Sequence, residues 1–154
     1  MMKVAFAGFG EVNTPIEVIE RKCKAAYESL CKDNTEVYPF FPIRDDYEET
    51  YIKNAIEYFS DKDFDCLVLC VAGWIPSHAV VKVLDKFRDK PMVLWGLCGW
   101  IEADGRLVTP ADQAGTTALR ATFAELGYTF KYQYDIVGLP SKTKQAETFL
   151  RACA

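Results

Sequence analysis

The first residues in this chain with the makings of a chemical site are a glycine turn. Residues 8–13 are GFGEVN, placing Gly8 and Gly10 ahead of Glu11 and Asn13 at the end of an apolar run. Glycines at a strand-to-helix turn let backbone approach a phosphate. A dinucleotide site also asks for a third small residue and for an acid at the end of the second strand. Here the third place is Asn13, and the second strand ends Pro39-Phe40-Phe41-Pro42. Glu36 has about the right sequence distance but belongs near that strand's start. A flavin mononucleotide site wants a Ser/Thr-rich first loop, and only Thr14 qualifies. A Walker loop is absent, and the end of the third strand, where a receiver domain keeps its aspartate, is Val71-Ala72-Gly73.

Metal and nucleophile chemistry fare no better. Cys66 and Cys70 stand four apart on one side of a strand, a spacing that suits packing. Glu11, Glu102, Asp104 and Asp112 are possible oxygen ligands with nothing to make them converge. The acidic run 45–49, DDYEE, is expected in a first helical turn, as a solvated face where carboxylates favour the helix dipole. His78 is the one histidine, just inside a helix start. No Ser-His-Asp or Cys-His arrangement is evident.

The elements that must position these residues alternate. Apolar runs at 3–9, 35–41, 65–72, 91–97 and 128–134 predict strands. Between them lie helical patterns at about 15–30, 46–60, 77–87 and 112–126, and a last helix starts near Ser141. Thr14, Pro15 and Glu17 suggest a cap, a first helical position and a capping box, and Ser77 is a second cap. Five βα units without a hairpin signal predict a three-layer, doubly wound α/β domain with a five-stranded parallel sheet, in the flavodoxin-like order 2-1-3-4-5. Ligands in such sheets sit beyond the carboxyl ends of the strands. Those ends are loops 8–14, 41–46, 73–77 and 96–112, and all three tryptophans, Trp74, Trp95 and Trp100, fall at that end. Together they predict an aromatic-lined concave site or an interface.

Bulk composition narrows the partners. The 154 residues carry a net charge of −4, and the pI is about 5.1. Both argue against nucleic acid or an anionic membrane as the main partner. No apolar stretch approaches a membrane span, and the N-terminus lacks a secretory pattern. Six cysteines, mostly in apolar runs, suit a reduced, cytoplasmic setting.

Three segments carry a family resemblance: 71–80, VAGWIPSHAV; 90–97, KPMVLWGL; and 107–120, LVTPADQAGTTALR. In them the chain resembles the N-terminal domain of the L-fucose isomerase and L-arabinose isomerase family, over most of its length. The resemblance implies a flavodoxin-type sheet that contributes a wall to a neighbouring subunit's sugar site. It implies Mn²⁺ only in the full-length enzyme, whose metal-binding Glu, Asp and His lie in later domains. On that reading this chain is the first domain of a longer, homo-oligomeric isomerase, without a catalytic residue or a metal ligand of its own. The uncapped last helix fits a chain that continues. A sugar wall needs flat rings for C–H faces and polar groups for hydroxyls, and Trp74, Trp95 and Gln113 lead the candidates. Glu11, His78, Trp100 and Thr116 follow. The alternatives are a stand-alone flavodoxin-like small-molecule or nucleotide binder and a pure assembly module.

Overall fold

The computed structural model describes residues 1–32, 34–109 and 111–154. Five strands form one parallel sheet: β1 (Met2–Phe9), β2 (Thr35–Ile43), β3 (Cys66–Val71), β4 (Met92–Cys98) and β7 (Phe130–Ile136). Their order is β2-β1-β3-β4-β7. This is the flavodoxin-like order expected from the sequence. The fifth strand is seventh in the chain because two short strands precede it.

The reason lies in the strands' composition. Every residue of β3, CLVLCV, is buried, as is nearly all of β1. A strand with no polar alternation must be covered on both faces, which the crossover helices of a parallel sheet do. Helices α2 (Thr50–Ser60), α3 (Ser77–Leu84) and α4 (Asp112–Glu125) cover one face with Phe59, Val83, Leu119 and Phe123. Helices α1 (Ile16–Leu30) and α5 (Thr143–Cys153) cover the other with Ile19, Cys23, Leu30 and Leu150. Each of the Val, Leu, Ile and Phe side chains among these contributes about 1.5–3 kcal/mol when fully buried. Cys66 and Cys70 lie in the α1/α5 core, as their spacing suggested.

The helix starts differ from expectation. The capping box before α1 does not form: Pro15 is the N-cap position and no side chain caps the helix. Thr14 is instead buried in a tertiary contact described below. Ser77 begins α3 rather than capping it. Helix α2 begins at Thr50, not 46, so the acidic run precedes it. Asp46 accepts the backbone N–H of Thr50 (2.8 Å), and Asp45 that of Val12 (2.9 Å). These carboxylates are loop ties rather than a solvated helical face. Segment 98–111 carries a small antiparallel hairpin, β5 (Trp100–Ile101) with β6 (Leu107–Val108), too short for a period-two pattern to announce. No helix among the described residues is long and apolar enough to cross a membrane.

Candidate functional site

The sheet's carboxyl end is built from the loops after β1, β2, β3, β4 and β7. The first of these is tied down donor by donor. Gly10 N–H donates to Ile43 O (3.1 Å), Glu11 N–H to Trp74 O (2.7 Å) and Thr14 N–H to Glu11 O (3.1 Å). Val12 N–H takes Asp45. From above, the Arg44 guanidinium donates to the carbonyls of Glu11 (3.1 Å), Val12 (2.6 Å) and Thr14 (2.8 Å). A phosphate-binding turn must aim free N–H groups at its ligand. In this turn the N–H groups of Gly10, Glu11, Val12 and Thr14 are spent on the protein itself.

The crevice between β1 and β3, where the strand order reverses, is closed as well. A Cβ on Gly73 would lie 2.6 Å from Thr14 Oγ1, so only glycine lets the third loop approach the first this closely. Trp74 follows, half-buried, its ring edge over Gly115 of α4, where a Cβ would stand 3.1 Å from Trp74 Cδ1. Glu11, half-buried, is joined to Trp74 through its backbone, and the exposed Gln113 stands one helical turn or less from Gly115. Glu11 and Trp74 therefore meet at the mouth of the crevice, whereas Gln113, two residues before Gly115, lies round the helix from the face that Trp74 covers.

The remaining candidates disperse. Thr116 is fully buried, donates to Asp112 O (2.8 Å) and packs on Gly96. His78 is exposed in the first turn of α3. Trp95 is wholly buried in the α1/α5 core, its Nε1 donating to Asp135 Oδ2 (2.6 Å). Ser141 Oγ donates to the other oxygen of that carboxylate. Trp100 is buried on the α1 side, with Nε1 donating to Glu102 Oε1 (2.9 Å). The three tryptophans thus do not line one concavity. The pleat decides this for Trp95: pairing with Cys70 and Gln133 turns it toward α1 and α5.

At the centre of this end sits a group the sequence did not single out. Lys22 of α1 is 1% exposed. Its Nζ donates to Ala72 O (2.8 Å) after β3 and Leu97 O (2.7 Å) in β4. It lies 3.7 Å from the carboxylate of Asp112, itself 1% exposed, and 5.4 Å from the Trp100 ring centroid. Asp112 also accepts Gly99 N–H (2.6 Å) and Gln113 N–H (2.9 Å). Burial pushes the Lys22 ammonium below the usual lysine range, and Asp112 opposes that shift. The thiol of Cys98 is pushed up to about 11 by burial and then by Asp112. The signal for Lys22 was its register. It falls between Ile19 and Ala26 on the apolar stripe of α1, where a lysine must reach a partner inside the fold.

Of the suggested oxygen ligands, Asp112 pairs with Lys22, Glu102 with Trp100, and Asp104 with Arg106. Among the described residues no three His, Cys, Asp or Glu side chains are grouped to hold a metal ion, so the residues present do not fit a resident Mn²⁺. Pro110, within the segment 107–120, lies outside the described residues. No family model, curated protein or solved structure matches this chain.

Proposed function

We propose that this chain is a substrate-wall and assembly domain of a metal-dependent aldose–ketose isomerase of the L-fucose/L-arabinose type, with no catalytic group of its own. One observation supports the reading most. The crevice that would hold a nucleotide is bridged by the protein's own hydrogen bonds, while Glu11 and Trp74 keep part of their surface exposed at its mouth and Gln113 is exposed in the first turn of α4. These residues offer an indole for the C–H face of a sugar and a carboxylate and an amide for its hydroxyls. The catalytic groups and the metal then come from elsewhere, and no step of the reaction runs through this chain's side chains.

The test is a pair of measurements on the purified chain. With L-fucose or L-arabinose and Mn²⁺, no ketose should form. Saturation-transfer NMR with the same sugars should show contact that Trp74→Ala abolishes. Turnover by the chain alone would sink the proposal, as would a rise in Tm with a flavin or nicotinamide nucleotide.

A second reading, pure assembly, draws on exposed apolar side chains at the same end. Ile136 (65% exposed), Leu139 (51%), Leu107 (44%) and Ile101 (41%) lie on the hairpin, the end of β7 and the loop after it. Ile101 and Leu139 share the lining of one small cavity with Lys22. Solitary apolar residues need no partner, but a cluster marks an interface. Under this reading Leu139→Asp reduces oligomer size in sedimentation velocity, and no sugar contact is detected in either protein.

A further inference from the structure

The two edges of the sheet differ. At the β2 edge, Pro39 pairs with Phe6 of β1 and has no N–H, so an added strand finds a gap there. The β7 edge contains no proline. Met92 N–H donates to Thr129 O, so residues 129, 131, 133 and 135 turn their backbone toward β4. Phe130, Tyr132 and Tyr134 turn theirs outward. One outward carbonyl, that of Tyr134, already draws a cation: Lys142 Nζ donates to it at 2.5 Å.

Grooves flank this edge on both faces. On the α5 side a groove of about 600 Å³ is lined by Lys131, Lys142 and Lys144 over a floor of Phe149 and Ala152. On the α4 side one of about 470 Å³ is lined by Ala121, Ala124, Phe130 and Arg120. Between them Arg120, Lys131 and Tyr132 line a third. Among the described residues no Asp or Glu lines any of the three, in a chain whose net charge is −4. The Arg120 guanidinium lies 5.4 Å from the Tyr132 ring centroid, and the Lys142 ammonium 4.5 Å from that of Tyr134.

We propose that the β7 edge is a docking site for an extended acidic segment of a partner protein, which adds as a sixth strand and alternates acidic with apolar residues. The alternation follows from the pleat. Successive side chains of an added strand fall on opposite faces, so acids meet the lysines of the α5 side while apolar residues meet Ala121, Ala124 and Phe130. A second copy of this chain is disfavoured as the occupant, because edge-to-edge pairing would bring Lys131, Lys142 and Lys144 near their own copies. This inference does not depend on the sugar-wall reading, since it concerns a different surface.

The test uses an acetylated, amidated heptapeptide alternating Glu and Val, with ¹⁵N-labelled full-length chain. The peptide should shift the amide signals of Phe130, Tyr132 and Tyr134 first. A version N-methylated at alternate residues should bind at least tenfold more weakly. Lys131→Glu with Lys144→Glu should weaken the Glu/Val peptide at least tenfold and gain binding to its Lys/Val counterpart. Any of three results overturns the proposal: no shift up to millimolar peptide, equal binding of the N-methylated version, or a dimer in sedimentation velocity that already protects these amides without peptide.

Discussion

The β1–β3 crevice and the outer edge of β7 are both places where a parallel sheet leaves backbone groups without a strand partner, and they are finished in opposite ways. At the crevice the groups are consumed internally. Glu11 and Trp74 bond across it, Gly73 admits Thr14, and Lys22 gathers the carbonyls of Ala72 and Leu97 from beneath. At β7 the groups remain outward, with cations around them and a single lysine on one carbonyl. The difference separates a region bonded to itself from one whose backbone groups stay turned outward. A site with spent donors transmits stability, and a site with unspent donors transmits recognition.

Replacing Lys22 is the strongest way to break that contrast. Lys22→Met leaves Asp112 as a buried, uncompensated charge and strips two buried carbonyls of their donor. Loss of one partner of a buried pair costs about 3–5 kcal/mol, measurable by urea unfolding. A loss below about 1 kcal/mol, the scale of an exposed pair, would show that the crevice is not pinned from below. Next comes Gly73→Ala. Its Cβ collides with Thr14, and overpacking of this kind costs about 1–3 kcal/mol with a matching fall in Tm.

The pH dependence sharpens the role of Lys22 further. Burial holds its folded value below the ordinary 10.5, so in the window ending near 10.5 the unfolded chain binds more protons than the folded one. Stability therefore rises with pH across that window. The rise appears in the difference between wild type and Lys22→Met, which lacks the group. The smallest effect belongs to the β7 edge. Lys131→Glu with Lys144→Glu should change folding stability by no more than about 0.5 kcal/mol, since both side chains are exposed. A larger loss would mean that the edge, like the crevice, is part of the fold's internal bonding.

Most of the architecture was legible in the sequence because it rests on periodicity. CLVLCV has no polar residue for either face and so must be a central strand, whereas FKYQYDI mixes polar with apolar residues and sits at an edge. Helix boundaries were less legible. Asp46 reads equally as a helical residue and as a tie ahead of Thr50, and only the position of the loop after β1, which Asp45 holds, separates the two. The rim was half legible. Glu11 and Trp74 meet because loops after different strands open toward one end of a parallel sheet. Trp95 leaves the group because one step of register turns it to the opposite face from α4.

The sequence by itself determined the order of elements, the parallel sheet and its two covered faces, because hydrophobic burial obeys periods of 2 and 3.6 that a chain carries locally. Only the tertiary structure decided that a lysine on the apolar stripe of α1 meets an aspartate 90 positions later at α4. Only it decided that the Gly10, Glu11 and Val12 N–H groups of the turn GFGEVN go to the protein rather than to a ligand. Both outcomes depend on which strands become neighbours, and the polar groups of a segment find their partners only after those neighbours are in place.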